Sequence, residues 1–414
     1  MALGLGLAAC ARQVPKADVV DDFVFRRGPD PFARKIQDTV QAVLSRALAD
    51  SAFPGAIAVV GNRQGELATV AVGHLTWGEP AVPDRHSLYD MASLTKVVAT
   101  TTSIMRLVDQ GKVDIEAPVQ RYLPDWTGPG KSAITVRHLL THSSGLPSFK
   151  AYDQITTNRD SIDKLMFGTP LDSAPGRAMI YSDIGGYLLG KIIERVSGKS
   201  LDRYVVDELF HPLHMDETMF LPPSSLLPRI APTEIDTLRG GLVRGKVHDE
   251  RAYYLGGVSG HAGLFSTAND LSAFARILLN GGPPIVSRAT LAKFTAYADS
   301  TFSNRGLGWQ KPTLPGMKFS TAGPWASSTK ISSKAFGHTG FTGTSIIVDP
   351  PNDVYVILLS NRVNPTRNNT KIGGVRTRLT DAVYSVLASH PERSEGGTPG
   401  FAPLSLTHPP TNRP

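Results

Sequence analysis

Met91-Ala92-Ser93-Leu94-Thr95-Lys96-Val97 reads as a turn entering a helix. Apolar residues continue at helical spacing through Val98, Ala99, Ile104, Met105, Leu107 and Val108, and Gly111 follows as a stop. Ser93 and Lys96 are three residues apart, so a helix places a hydroxyl and an ammonium on one face. The helix N-terminus favours developing negative charge there. A serine hydroxyl becomes a useful nucleophile only when a base takes its proton. Lysine is such a base when burial or a nearby cation lowers its proton affinity. The bland alternative is a helix cap beside a surface lysine.

Outward from this stretch, the pattern divides by period. Phe32 to Ala49 has helical spacing, Pro54-Gly55 breaks it, and Ala56–Val60 and Leu67–Val72 flank Asn62-Arg63-Gln64-Gly65 as a hairpin. Helices are expected over Thr135–Leu140, Ile184–Val196, Leu271–Leu279 and Val375–Leu387. Strands are expected over Phe336–Gly343, Ser345–Val348 and Val354–Ser360. Strands thus cluster near both chain ends, with helices and loops between. The economical architecture is α+β: an antiparallel sheet built from both ends, flanked by helices, with an inserted, mostly helical lobe. The expected organisation is a leader and tether over 1–30, a folded domain over 31–388 and a disordered tail over 389–414. Within the domain, the α/β part covers about 31–110 and 275–388, and the lobe about 111–274.

The chain has 414 residues, 41% of them hydrophobic, enough for a sizeable core. The net charge of +7 is scattered, without a Lys/Arg run or basic-aromatic interleaving, which argues against a nucleic-acid partner. The eleven histidines show no metal-ligand spacing, so neither metal nor cofactor is expected. Cys10 is the single cysteine, which excludes an intrachain disulfide. It follows an apolar run in Leu7-Ala8-Ala9-Cys10, similar to a bacterial lipoprotein box, though no Lys or Arg precedes the run. The expectation is an exported or periplasmic protein, with Cys10 as the candidate point of membrane attachment; the alternative is an unstructured N-terminal tail.

Two further stretches keep Ser93 company. Tyr181-Ser182-Asp183 precedes the helix at Ile184; alone, it reads as a packed aromatic followed by a cap. Gly337-His338-Thr339-Gly340-Phe341 lies on an expected strand, where glycine admits a close ligand and a backbone N–H can face an oxyanion. In this order, the three resemble the serine β-lactamase and penicillin-binding-protein superfamily. The branch is class C β-lactamase-like, which also holds family VIII carboxylesterases, D-aminopeptidases and D,D-peptidases. Leu139 to Leu146, Pro175-Gly176, Tyr187 to Gly190 and Gly260 to Ser266 support the resemblance, which spans about 33–388. It implies Ser93 as the acylated nucleophile, Lys96 as its general-base partner and Tyr181 as the proton shuttle. It implies His338-Thr339-Gly340 in the K-T-G slot, Asp183 in a substrate-binding position usually held by Asn, and the N–H groups of Ser93 and Phe341 as the oxyanion hole.

Asp183 and His338 depart from the β-lactamase pattern. A carboxylate at 183 would repel a substrate carboxylate, and a neutral imidazole anchors one poorly. The expected activity is hydrolysis of a small ester, amide or peptide through an acyl-Ser93 intermediate. Short-chain esters stand first, D-amino-acid peptides or muropeptide amides next, and β-lactams third. A penicillin-binding sensor that acylates once is the non-enzymatic alternative. Val247 to Gly257 also resembles members associated with cell-wall fragment turnover. The oligomeric state has no sequence signal.

Overall fold

A computed structural model describes residues 30–315, 317 and 330–389. The leader with Cys10 and the tail beyond Ser389 lie outside the described residues.

Five strands form one antiparallel sheet: β1 (Gly55–Gly61), β2 (Glu66–Gly73), β3 (Phe336–Thr339), β4 (Ser345–Asp349) and β5 (Val354–Ser360), in the order β2-β1-β5-β4-β3. The first hairpin closes where expected: Asn62 Oδ1 accepts the N–H groups of Gln64 and Gly65 at 3.0 Å. β1 and β5 pair from Ala56↔Ser360 to Gly61↔Tyr355, which joins the two ends of the chain at the sheet centre.

Alternation fixes this register. Ala56, Ala58 and Val60 of β1, with Val354, Val356 and Leu358 of β5, face a core shared with α1 (Pro31–Ala49) and the C-terminal helix Ile372–Ala388. Ile57 and Val59, with Tyr355, Ile357 and Leu359, face the larger core on the other side. Both faces are buried, which explains why β1 and β5 read as continuous apolar runs.

The larger core is filled by α2 (Thr102–Asp109), α3 (Asp183–Ser197), α4 (Ala268–Leu279) and shorter helices between them. The inserted region also carries short strands: Met219–Phe220 and Leu264–Ser266 pair with each other, and the latter pairs with Tyr89–Asp90. That pairing ties the insertion to the segment entering Ser93. The first of the late strands is shorter than its sequence suggests. β3 ends at Thr339, and Gly340 N–H turns back to the Thr344 carbonyl at 2.7 Å. No helix among the described residues is long and apolar enough to cross a membrane.

Candidate active site

Ser93 stands at a tightly wound entry rather than on a regular helix. Ala92–Leu94 forms a 3₁₀ turn, Lys96–Thr101 a wide π-turn, and only α2 has α geometry. Ala92 has φ +45°, a left-handed conformation costly for a non-glycine residue. Asp90 holds it there, its Oδ1 accepting the Ala92 N–H at 2.7 Å. The turn lifts Ser93 into partial exposure while Lys96 stays buried. Lys96 Nζ donates to Ser93 Oγ at 3.0 Å, the contact that the three-residue spacing predicts.

Tyr181 and Asp183 reach the same lysine from the N-terminus of α3. Ser182, not Asp183, caps that helix: its side chain accepts the Gly185 N–H at 3.2 Å. Asp183 is thereby free to point at Lys96, with Oδ1 2.8 Å from Nζ. The Tyr181 ring centroid lies 5.0 Å from Nζ, and its buried hydroxyl makes no hydrogen bond among the described residues.

The His338 segment closes against the Ser93 turn from the sheet edge. Thr342 Oγ1 donates to the Asp90 carbonyl at 2.7 Å, and Thr344 Oγ1 to the Met91 carbonyl at 3.2 Å. A Cβ on Gly340 would fall 2.1 Å from Thr344 Oγ1 and 2.5 Å from the Met91 carbonyl, so only glycine allows this approach. Arg376 secures the loop from behind, donating to the carbonyls of Gly340 and Thr344 at 2.7 Å. Phe341, half exposed, follows directly. Its ring lies between the Arg362 guanidinium, 4.2 Å away, and the His248 ring.

The charges around Lys96 form a closed ring. Asp183 Oδ2 meets Arg251 Nη2 at 2.8 Å, and the same nitrogen meets Asp249 Oδ2 at 2.7 Å. Asp249 Oδ1 lies 3.0 Å from His261 Nε2, and the His261 carbonyl accepts from Lys96 Nζ at 2.9 Å. Burial alone would push the Lys96 ammonium down, but the Asp183 carboxylate and Tyr181 outweigh it and leave its pKa raised. Burial works against ionised Asp183 too, yet Lys96 and Arg251 hold its pKa below the usual value. Asp249 is held well below, because Arg251 and His261 outweigh its burial. Asp183 is therefore no free anion facing a ligand, since a cation neutralises each of its oxygens.

His338 is not a cation either. Burial, then the positive charges of Arg305 and Lys96, push its pKa well below the ordinary histidine value. Its Nδ1 bonds the Thr339 carbonyl at 2.8 Å, and Nε2 is buried without a partner. His142 packs on the Tyr181 ring at 4.5 Å between centroids, accepts the Ser182 N–H and is kept neutral for the same reasons, burial first. The positive charge comes from Arg305, which is 2% exposed, with its guanidinium 5.1 Å from the Tyr181 ring centroid. Its Nε and Nη1 are buried without hydrogen-bond partners, and it has no ion pair among the described residues. Burial pushes its pKa down to about 10, so it stays charged at neutral pH. A β-bridge pairs Arg305 with Gln310, and Gln310 bridges Gly337, which places Arg305 one backbone step from the His338 strand.

The structure thus gathers Ser93, Lys96, Tyr181 and Asp183, and lays His338, Thr339, Gly340 and Phe341 against them. Sequence reasoning missed Asp249, Arg251, His261 and Arg305. The first three lie in stretches noted only for resemblance, and Arg305 beside Gly306-Leu307-Gly308-Trp309 carried no signal at all.

Comparison with known proteins places the chain in a family. A family model described as Beta-lactamase matches residues 34–376. The chain belongs to the beta-lactamase family. It is 35% identical over 371 residues to the N-acetylmuramyl-L-alanine amidase of Bacillus subtilis (strain 168), covering 80% of this chain and 82% of the relative. It is 34% identical over 323 residues to an Escherichia coli (strain K12) protein provisionally named a D-alanyl-D-alanine carboxypeptidase, covering 70% and 72%. Among solved structures, EstCE1, a hydrolase with promiscuous acyltransferase activity, superposes with a TM-score of 0.69 at 20% identity over 85% of this chain and 99% of its own. That last likeness concerns the fold. Membership and site geometry together make the protein a serine hydrolase of the β-lactamase fold.

Proposed function

We propose that the protein hydrolyses an amide bond in a cell-wall-type peptide through an acyl-Ser93 intermediate. The observation that carries this reading is the 3.0 Å contact between Ser93 Oγ and Lys96 Nζ at a strained turn. Lys96, kept as an ammonium by Asp183, orients Ser93 and stabilises charge as the hydroxyl proton leaves. Tyr181, beside that ammonium, takes the serine proton as its own phenol proton passes to the leaving group, and the reverse exchange later activates water. The general-base role expected of Lys96 therefore passes to Tyr181, because a lysine of raised pKa rests protonated. The backbone N–H groups of Ser93 and Phe341 receive the oxyanion.

Arg305 supports a substrate carrying a free carboxylate, since it is the uncompensated cation beside Tyr181 and stands where neutral His338 offers no charge. The names of the two curated relatives support an amide over the short-chain ester that stood first from sequence. An envelope location, with Cys10 as the candidate lipidation site, fits such a substrate.

The test is steady-state hydrolysis of an N-acetylmuramyl-L-alanyl peptide, a D-alanine p-nitroanilide, a short-chain p-nitrophenyl ester and a chromogenic cephalosporin, with Ser93→Ala as control. Serine-dependent turnover of either amide above the others supports the proposal. Faster ester turnover would make the protein a carboxylesterase, and a single stoichiometric acylation would make it a sensor.

A further inference from the structure

We propose that Asp249 is the positioning residue that fixes both the place and the proton of Lys96. The inference rests on the proposed use of Lys96 beside Ser93. Asp249 reaches the ammonium by two separate routes. One runs through side chains: Asp249 Oδ2 to Arg251 Nη2 (2.7 Å), the same nitrogen to Asp183 Oδ2 (2.8 Å), and Asp183 Oδ1 to Lys96 Nζ (2.8 Å). The other runs through the backbone: Asp249 Oδ1 to His261 Nε2 (3.0 Å), with the His261 carbonyl accepting from Lys96 Nζ (2.9 Å). The first route sets the charge facing Lys96, and the second sets where the ammonium sits.

A structural role alone does not account for this arrangement. Asp249 also caps the short helix Glu250–Tyr254, its Oδ1 accepting the Ala252 N–H at 2.9 Å. A cap needs only one oxygen and no partner in the catalytic machinery. Here both oxygens are engaged, and each has a contact that leads on to Lys96. Ser259 Oγ, 2.7 Å from His261 Nδ1, locks that ring from its other nitrogen. The close packing of Gly186 finishes the clamp: a Cβ there would meet His261 Cβ at 3.0 Å and Lys96 Cε at 3.3 Å.

The sign of the electrostatic effect follows from counting charges. The groups facing Lys96 or coupled to it are Asp183, Arg251, Asp249, His261, Tyr181, His142, His338 and, beyond the Tyr181 ring, Arg305. Lys96 and Arg251 balance Asp183 and Asp249. Neutralising Asp249 leaves Arg251 to draw on Asp183 alone, so Lys96 holds its proton less firmly. Removing the Arg251 charge does the reverse. A mere cap or packing contact produces neither displacement, let alone a pair of opposite sign.

The experiment is the pH dependence of kcat and kcat/KM for a p-nitrophenyl ester, using the full chain. The variants are Asp249→Asn, Asp249→Glu and Arg251→Met, with Ser93→Ala as background and thermal melting to confirm folding. Asp249→Asn is expected to lower kcat on the order of tenfold. KM stays nearly constant, and the limb of the profile governed by Lys96 moves down by about one pH unit. Arg251→Met moves that limb up, and Asp249→Glu recovers part of the loss. Folded variants whose limbs stay at the wild-type pH would overturn the proposal and leave Asp249 a helix cap. If Asp249→Asn fails to fold, Arg251→Met decides alone, since an unmoved or lowered limb contradicts the charge count. Wild-type turnover in Ser93→Ala would instead defeat the underlying reading of the site, whatever the Asp249 variants do.

Discussion

Two groups of buried charge meet at Tyr181, and only one of them cancels. Lys96, Asp183, Arg251 and Asp249 form a chain in which every contact alternates in sign, closed into a ring through His261. Arg305 has no counter-ion among the described residues, although it is as deeply buried. Its neighbours His142 and His338 are neutral. The difference shows how one pocket serves two needs. In the proposed mechanism, the balanced group holds Lys96 at a fixed place beside Ser93. The unbalanced guanidinium is where the proposed function puts the carboxylate of the substrate. Burying an unpaired cation destabilises the free protein, a cost that a bound carboxylate would offset.

Breaking the ring should have the largest effect. Lys96→Ala is expected to cost a factor on the order of 10²–10⁴ in kcat/KM, and to destabilise the fold by about 3–5 kcal/mol because Asp183 loses a buried partner. The double variant Lys96→Ala/Asp183→Asn should recover much of the stability in urea titrations while remaining as inactive. Recovery of activity with stability would show that Lys96 only fills space.

Arg305→Met should behave in the opposite way. Stability is expected to hold or rise by about 1–4 kcal/mol, since an unpaired buried charge is replaced by an apolar chain. Activity toward a carboxylate-bearing substrate should fall by a factor on the order of 10–100, mostly in KM, with little change for the same substrate capped as an amide. Comparing the two substrates on one enzyme preparation checks this. An equal loss on both would move Arg305 from substrate binding to support of Tyr181.

A further effect lies in the pH dependence of stability. His142 and His338 have folded-state pKa values well below the ordinary histidine value of 6.5, because burial disfavours their charged forms. Below that value the unfolded chain binds protons that the native state excludes. Stability should therefore fall as pH drops from 7 to 5, with a limiting slope of about 2.7 kcal/mol per pH unit for two such groups. Glu234, whose pKa is lowered to about 2 by its His248 and Arg367 partners against the opposing pull of burial, adds a further loss as pH falls from the ordinary value of 4.5. Thermal melts across pH 4–8 measure both, and a flat profile between 7 and 5 would show that the two imidazoles are charged in the native state.

Much of the architecture was legible because it is periodic. The hairpin at Asn62, the two-faced apolar strand Val354–Ser360 and the helices at either end follow from patterns that burial imposes on local sequence. Ser93 and Lys96 were legible for the same reason, being one helical turn apart. The rest of the site was not, because ion pairing has no sequence period. Arg251 meets Asp183 across 68 positions, and Lys96 meets the His261 carbonyl across 165. The sequence likewise left Asp183 an exposed repulsive charge, since nothing near it in the chain reveals the two cations that neutralise it. The regular helix expected from Ser93 onward is instead a 3₁₀ turn followed by a π-turn, a distortion that apolar spacing does not signal.

The most direct test of the account is to trap the acyl-enzyme. The full-length protein is mixed with a slowly turned-over activated ester, quenched in acid, digested and sequenced by mass spectrometry, with Ser93→Ala treated in parallel. The account predicts one acyl group per chain, located on Ser93 and absent from the variant. An adduct on another residue, or undiminished hydrolysis by folded Ser93→Ala, would contradict it.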